Sequence, residues 1–518
     1  MASFLRNGLW AFVAAGLVLA GHARADNWLK AETAHFTLYS NTSVKDTRLY
    51  AKKLEAFRTL TNMLLGAPDN GPQTRFTVYM LVKDGQMQLV RPQFAKQVAG
   101  VYFNCAEGTQ AYSNVQSREG GDQDFNLVVL FHEYSHYVMF QHAHTYYPAW
   151  YVEGFAEYLS TAAPEKSAIT IGEMSQGRIM TLSEDRWVPF ARVLDPGFGF
   201  TGDKSNNSWE IESFYAQSWL LAHYMLNDTK RTKALNDYFR RIRAGEAPVA
   251  AFETATGIDV NTLQTLLKRY AQKSYYLKVP VTDYPDDQIA LTPVPAADGD
   301  YLFDASLLET CPSKDQGEAI LSHLQGLMSP QATPDLRMAL ARAQILYGDP
   351  KAAQTDLLTL LNQSPDNFEG LYLLGRAYLT QADKASGEAA RTLSEKAQEA
   401  FIAAYALKKL DAPNLYYLAS SFSHDPGFPD MNVVNAANGA HLLAPGVMQY
   451  AGLAAFANLA NDRRPEAVAA LEPFVGDPHN RAQAERIKAA IDAIESGKPT
   501  QDVMKILNDA EETAEAMR

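Results

Sequence analysis

The chain has 518 residues, a formal charge of −13 and 47% apolar residues. That length exceeds what one core supports and implies roughly two to four domains, while the acidic balance argues against a nucleic-acid partner, which would need clustered Lys and Arg. Cys105 and Cys311 are the only cysteines, too few for a disulfide framework, and both a single bridge and two free apolar side chains stay open.

The first 25 residues read as a signal peptide: Arg6, an apolar stretch from Leu9 to Ala20, then Ala23-Arg24-Ala25 before Asp26. The apolar part is shorter than the ~20 residues of a spanning helix, so a secreted or periplasmic location is expected, with no membrane span in the mature chain. Residues 26–278 mix periodicities. "HFTLYS" (35–40) and "RFTVYML" (75–81) have strand character, and "DTRLYAKKLEAFRTLTNMLL" (46–65) between them has helical spacing, which predicts an α+β domain. "VAGVYFN" and "GTQAYSN" flank Cys-Ala-Glu-Gly as a hairpin. Residues 279–300, rich in Pro and Asp without a sustained period, are expected to be a linker between two separately packed regions.

From 301 to 518 the composition turns to Ala, Leu and helix formers. "LARAQILYGDPKAAQTDLLTLLNQSP" (340–365) has the spacing of a tetratricopeptide repeat, and "LYLLGRAYL" (371–379) supplies the Leu-Gly-x-x-Tyr of a first repeat helix. Its partner, around "AQEAFIAAYALKK", is expected after an insertion, and a degenerate copy follows at 448–474. The region is predicted to be an all-α solenoid, a surface on which a protein partner could dock.

The chemistry lies in "LVVLFHEYSHYVMF" (127–140). His132 and His136 are one helical turn apart, so both imidazoles can reach a single metal ion. Glu133 projects beside that ion, where it can take a proton from water. In "YPAWYVEGFAEYLS" (147–160), Pro148 suits a helix start, and Glu153 and Glu157 share one face. One ligand from this second helix gives three protein ligands and leaves one zinc position open, as catalysis requires. His142 and His144 fit surface or structural histidines better than ligands.

His-Glu-x-x-His followed by Glu-Gly-Phe-Ala-Glu-Tyr resembles the gluzincin zinc metallopeptidases, the thermolysin and aminopeptidase-N-like families of the peptidase MA superfamily. It looks most like a secreted branch that carries C-terminal tetratricopeptide repeats. The resemblance extends loosely over 26–276 through the opening Trp28 and "HFTLYSN", and through "SFYAQSWLLAHYML" (213–226). It implies Zn2+ held by His132, His136 and Glu153, with Glu133 as general base. It implies Glu157 as an acid behind a zinc histidine, the alternative being a surface salt bridge. Tyr215 falls where aminopeptidase-like members carry an oxyanion donor, the alternative being a core aromatic. The aminopeptidase-like Gly-x-Met-Glu-Asn segment is here Gly100-Val101-Tyr102-Phe103-Asn104, with Phe103 in place of the acid that holds a free amine. An endopeptidase or processing enzyme acting on a peptide or protein is therefore expected. The strand character of this segment also suits pairing with extended substrate backbone, or a plain core hairpin. The rival function is a non-catalytic binding or assembly protein of the cell envelope, whose zinc site is vestigial or structural.

Overall fold

A computed structural model describes residues 28–66, 75–82, 85–92, 100–114, 125–142, 147–184, 186–196, 198, 208–273, 276–476 and 481–508. The signal-peptide segment and His144 lie outside them. The chain opens with β1 (Leu29–Glu32), β2 (Phe36–Ser40), α1 (Val44–Leu65), β3 (Phe76–Leu81), α2 (Gln86–Val90), β4 (Gly100–Cys105) and β5 (Gly108–Asn114). Helix α1 starts where the Ser43 side chain accepts from the Asp46 amide, and it stops at Gly66 in a left-handed conformation. It crosses between β2 and β3, which pair in parallel. The hairpin β4–β5 forms with Ala106-Glu107 at its tip.

Next come α3 (Phe125–His142), α4 (Ala149–Ser160), β6 (Ala163–Pro164), β7 (Ala168–Ile171), α5 (Gln176–Ser183), α6 (Phe190–Val193), α7 (Ser208–Leu226), α8 (Thr229–Arg243), α9 (Pro248–Thr256), α10 (Val260–Tyr270), β8 (Leu277–Pro280) and β9 (Ala290–Pro293). The main sheet runs β4-β5-β3-β2-β1-β9, and β6-β7-β8 make a small second sheet. The α+β reading of this region therefore holds at the level of a mixed sheet with helices.

One face of the main sheet carries Phe36, Leu38, Phe76 and Val78 into the core shared with α1, α3 and α4. Phe57 of α1 stacks on Phe131 of α3 at 3.9 Å, which seats α3 on that face. Helix α4 is buried along its whole length, and burying Trp150, Phe155 and Leu159 contributes about 1.5–3 kcal/mol each. Its closest neighbour is α7, and Gly154 makes the approach possible: a Cβ there would sit 2.4 Å from the Ser218 carbonyl oxygen.

The opposite face displays Tyr39, Tyr79 and Tyr112, stacked in sequence at 5.0 and 5.2 Å. What covers this ladder comes from the C-terminal region: α11 (Ala296–Leu308), α12 (Lys314–Leu327) and α13 (Pro334–Tyr347) bring Tyr301, Leu307, Ile320, Leu324 and Leu340 onto it. Residues 279–300 are thus not a tether. They supply the end of β8 and all of β9, and β9 pairs antiparallel with β1. The Pro and Asp that obscured a period sit at strand ends, in and before a short 3-10 turn at 286–288, and at the start of α11, while Val279 and Leu291 pack on the core. Two separate cores are likewise not found, because the tyrosine ladder makes α11 to α13 a layer on the sheet. Cys105 and Cys311 are joined in a disulfide across the same seam.

The remaining helices are α14 (Pro350–Gln363), α15 (Phe368–Ala382), α16 (Gly387–Leu407), α17 (Ala412–Ser421), α18 (Met431–Leu443), α19 (Met448–Ala460), α20 (Arg464–Leu471), α21 (Arg481–Glu495) and α22 (Thr500–Asn508). Consecutive helices pack on one another, and α13, α15, α17 and α19 also touch in succession, which makes a helical repeat stack with one shared layer. The expected insertion before the partner of α15 is instead the first half of α16, a 21-residue helix. Gly375 lets the pair close: a Cβ would meet the Phe401 ring at 2.6 Å.

The stack bends round the β4–β5 hairpin. Glu107 at the tip is buried in the shared layer, with Oε2 2.7 Å from Arg376 Nη1 and 3.5 Å from Arg342 Nη1. Its Oε1 accepts from the Tyr417 hydroxyl at 2.7 Å, and the Ala106 carbonyl accepts from the Tyr450 hydroxyl at 2.9 Å. Helices α13, α15, α17 and α19 each contribute one of these four side chains. At the far end, Phe474 packs on Phe140 of α3 and Glu472 pairs with Arg243 of α8.

Candidate metal centre

His132 and His136 extend from one face of α3, with their Nε2 atoms 3.1 Å apart. Glu153 of α4 brings Oε2 to 3.4 Å from His132 Nε2 and 3.7 Å from His136 Nε2. An ion with tetrahedral ligands at about 2.0–2.1 Å has donor–donor edges of about 3.3–3.4 Å, so this triangle has the size of one tetrahedral face. Among the described residues these three are the group of His, Cys, Asp or Glu donors that converges in this way.

The carboxylate one turn along α4 takes a different position. Glu157 Oε1 lies 3.5 Å from His132 Nδ1, on the ring edge away from the triangle. There it can fix the tautomer that turns Nε2 inward. Glu157 is itself held by Arg178 of α5, whose Nε and Nη2 donate to its two oxygens at 3.0 and 2.7 Å. The guanidinium also donates to Glu212 at 2.8 Å and lies 5.1 Å from the centre of the Tyr215 ring.

These residues border a cleft of about 590 Å³ lined by Val128, Val129, His132, Glu157, Arg178 and Tyr215. His136 and Glu153 lie beneath its floor, at 4% and 0% exposure. Burial alone would depress His132, but its hydrogen bond to Glu153 and the charges of Glu157, Glu153 and Glu133 override this and push it up to about 9. The cluster stabilises positive charge at this point, which a bound cation satisfies as a proton does. Glu133 follows His132 on α3, and its charge acts on His132, on Tyr102 of β4 and on Tyr215. Burial and then Glu153 and Glu157 hold the Tyr215 phenol well above its ordinary range, so it is a hydrogen-bond donor at neutral pH.

Phe103 does not border the cleft. Strand alternation turns it to the other sheet face, against Tyr112 and under the Arg91 guanidinium. Tyr102, which packs on Tyr137 of α3, is the residue of this strand on the site's side. The identity of residue 103 therefore says nothing about amine recognition.

Two groups of residues escaped the sequence. Arg178 lies in "MSQGRIM", where nothing marks a partner for Glu157. The pocket round Glu107 did leave a signal: Leu340-Ala341-Arg342-Ala343 returns as Leu374-Gly375-Arg376-Ala377, so the two arginines occupy equivalent positions in successive repeats.

No protein-family model matches the chain, and no curated protein matches it. Among solved structures, a similar chain is a thermophilic TPR protein of Thermus thermophilus, at 18% identity, covering 37% of this chain and 97% of that one with a TM-score of 0.30. A score that low does not define a common fold.

Proposed function

We propose that the protein is a zinc-dependent peptidase of gluzincin type, acting outside the cytoplasm as an endopeptidase or processing enzyme, with a C-terminal stack of tetratricopeptide-like repeats. The observation that carries this reading is the convergence of His132, His136 and Glu153 at the size of a tetrahedral face, under a cleft lined by His132 and Tyr215, with Glu133 next to His132 on the same helix. A purely structural site has no use for a base beside it. The Cys105–Cys311 disulfide supports an oxidising compartment, and no helix among the described residues is long and apolar enough to cross a membrane.

His132 and His136 Nε2 and Glu153 Oε2 would hold the zinc ion, which supplies Lewis acidity toward a carbonyl and toward water when bound. Glu133 takes the proton of the attacking water and returns it to the departing amine. The Tyr215 hydroxyl donates to the oxyanion, an interaction that strengthens only as charge develops. Glu157, braced by Arg178, keeps His132 in the ligating tautomer. Among the described residues lining the cleft, Glu157 is the acidic one, and Arg178 engages it.

Glu133→Gln tests the reading. The change is close to isosteric, so zinc and fold are retained, while hydrolysis of a peptide library by the zinc-loaded protein falls by about 10² to 10⁴. Wild-type protein that binds zinc but cleaves nothing, together with full in vivo complementation by Glu133→Gln, would leave the binding and assembly role as the function.

A further inference from the structure

We infer that the helical repeats set the position of β4 at the lip of the cleft, and that Glu107 is a positioning residue for polypeptide substrate laid along that strand. The inference rests on the peptidase reading for the identity of the substrate, though not for the mechanics of the strand.

Strand β4 ends the main sheet, with β5 on one side and no described strand on the other. Its outer row of amides and carbonyls is the kind of edge to which an extended peptide adds by main-chain hydrogen bonds. The strand starts against the cleft wall: a Cβ on Gly100 would lie 2.8 Å from Cγ1 of Val129, a cleft residue. Two residues on, Tyr102 packs on Tyr137 of α3, the helix that carries His132 and Glu133, with ring centres 6.0 Å apart. A chain paired with β4 would thus pass the residues proposed to do the chemistry.

An edge strand paired on one side is the part of a sheet that opens most easily. Here its far end is fixed from outside the sheet. Cys105 is bonded to Cys311, Ala106 accepts from Tyr450, and Glu107 is enclosed by Arg342, Arg376 and Tyr417. The Arg376 guanidinium also lies 3.6 Å from the Tyr417 ring centre, so the pocket is packed as well as charge-matched. Arg342, Arg376, Tyr417 and Tyr450 come from four successive helices of the shared layer, so movement of the stack is transmitted to the hairpin tip. That layer is filled by the chain's own hairpin, which removes it as a docking site for another protein and gives the repeats a role in cis.

The test uses the full-length, zinc-loaded protein as wild type, Glu107→Gln and Tyr417→Phe. Three quantities are read: zinc content, KM and kcat on one cleaved peptide, and amide exchange over residues 100–105. Glu107→Gln leaves the buried Arg376 without its carboxylate, while Arg342 keeps Glu369. It is expected to keep its zinc, to exchange β4 amides at least about tenfold faster and to raise KM about tenfold, the equivalent of one or two weakened backbone hydrogen bonds, with kcat changed less than about threefold. Tyr417→Phe moves the same quantities in the same direction by less. A folded Glu107→Gln with wild-type exchange and wild-type KM overturns the inference, as does a loss of kcat that tracks lost zinc. If Glu107→Gln does not fold, Tyr417→Phe decides by the same two readings. If the wild type cleaves nothing, the peptidase reading fails by itself, and unchanged β4 exchange in both variants would still overturn the mechanical link.

Discussion

Glu107 and Glu153 are both glutamates carried into the interior, and their surroundings are opposite in kind. Glu107 meets two guanidiniums and a phenol, whose charges and hydrogen bonds balance it without a proton; burial alone would raise its carboxyl, but Arg376, Arg342 and Tyr417 hold it below the usual carboxylate range. Glu153 faces two imidazoles whose charge depends on protons or on a metal. A carboxylate matched by arginines is complete as it stands and serves structure. One matched by imidazoles has a balance that changes with the proton or cation those rings hold, which is what the proposed binding site requires.

Stripping the metal separates the two most strongly. Glu153→Ala, His132→Ala and His136→Ala each lose stoichiometric zinc by metal analysis, whereas Glu107→Ala keeps it but loses about 3–5 kcal/mol of stability in denaturant melts, with or without chelator, because the buried Arg376 guanidinium loses its carboxylate. The contrast breaks if Glu153→Ala unfolds the chelated protein as readily as Glu107→Ala does; Glu153 would then be a structural residue.

A smaller effect concerns the residues behind the ligands. Glu157→Gln and Arg178→Gln both act on the His132 ring edge, and each should weaken zinc binding about 10- to 100-fold without abolishing it. Competition with a chromogenic chelator measures this. Additive losses in the double variant would show two independent contributions where one linked chain is expected.

The smallest effect lies at the seam. Glu309, beside Arg342, keeps 39% of its side chain exposed, so solvent screens a shift toward about 7 that desolvation by the surrounding protein drives, with Arg342 opposing and Glu369, Glu107 and Asp411 adding. A carboxyl that holds its proton more tightly when folded stabilises fully below its ordinary value near 4.5, and that contribution disappears as pH rises through about 7. The stability difference between wild type and Glu309→Gln should therefore fall across pH 4.5 to 7 and stay flat above about 8. A difference independent of pH would mean Glu309 is solvated like a surface acid.

What could be read in advance follows the length scale of each interaction. His132 and His136 share one helix, and the i, i+4 spacing alone brings their Nε2 atoms together. Phe36 and Leu38 in β2 alternate with polar neighbours, which fixes their face. Tyr39, Tyr79 and Tyr112 look like ordinary strand residues until the sheet order stacks them, and their cover comes from a segment two hundred residues later. The segment 279–300 misled for a related reason: β9 is four residues long and draws its stability from β1, so no local period announces it. Arg178 meets Glu157 through tertiary packing alone, whereas Arg342 and Arg376 were visible as a repeated Leu-x-Arg-Ala, had repeat register been read for charge as well as for shape.

The pairing of β1 with β9 also dictates an order of events in time. Leu29 must wait for Pro293 before its outer edge is filled, and the hairpin tip must wait for Tyr450. Contacts that span so much chain close slowly, since the loop between them has to be ordered first. A ribosome or an export channel delivering this polypeptide from its N-terminus therefore presents a sheet with an open edge and a bare tyrosine face, until the repeats arrive. The proposed catalytic helices emerge early and the elements that lock the neighbouring strand emerge last, so a truncated or half-delivered chain would hold the histidines and glutamates without the frame around them.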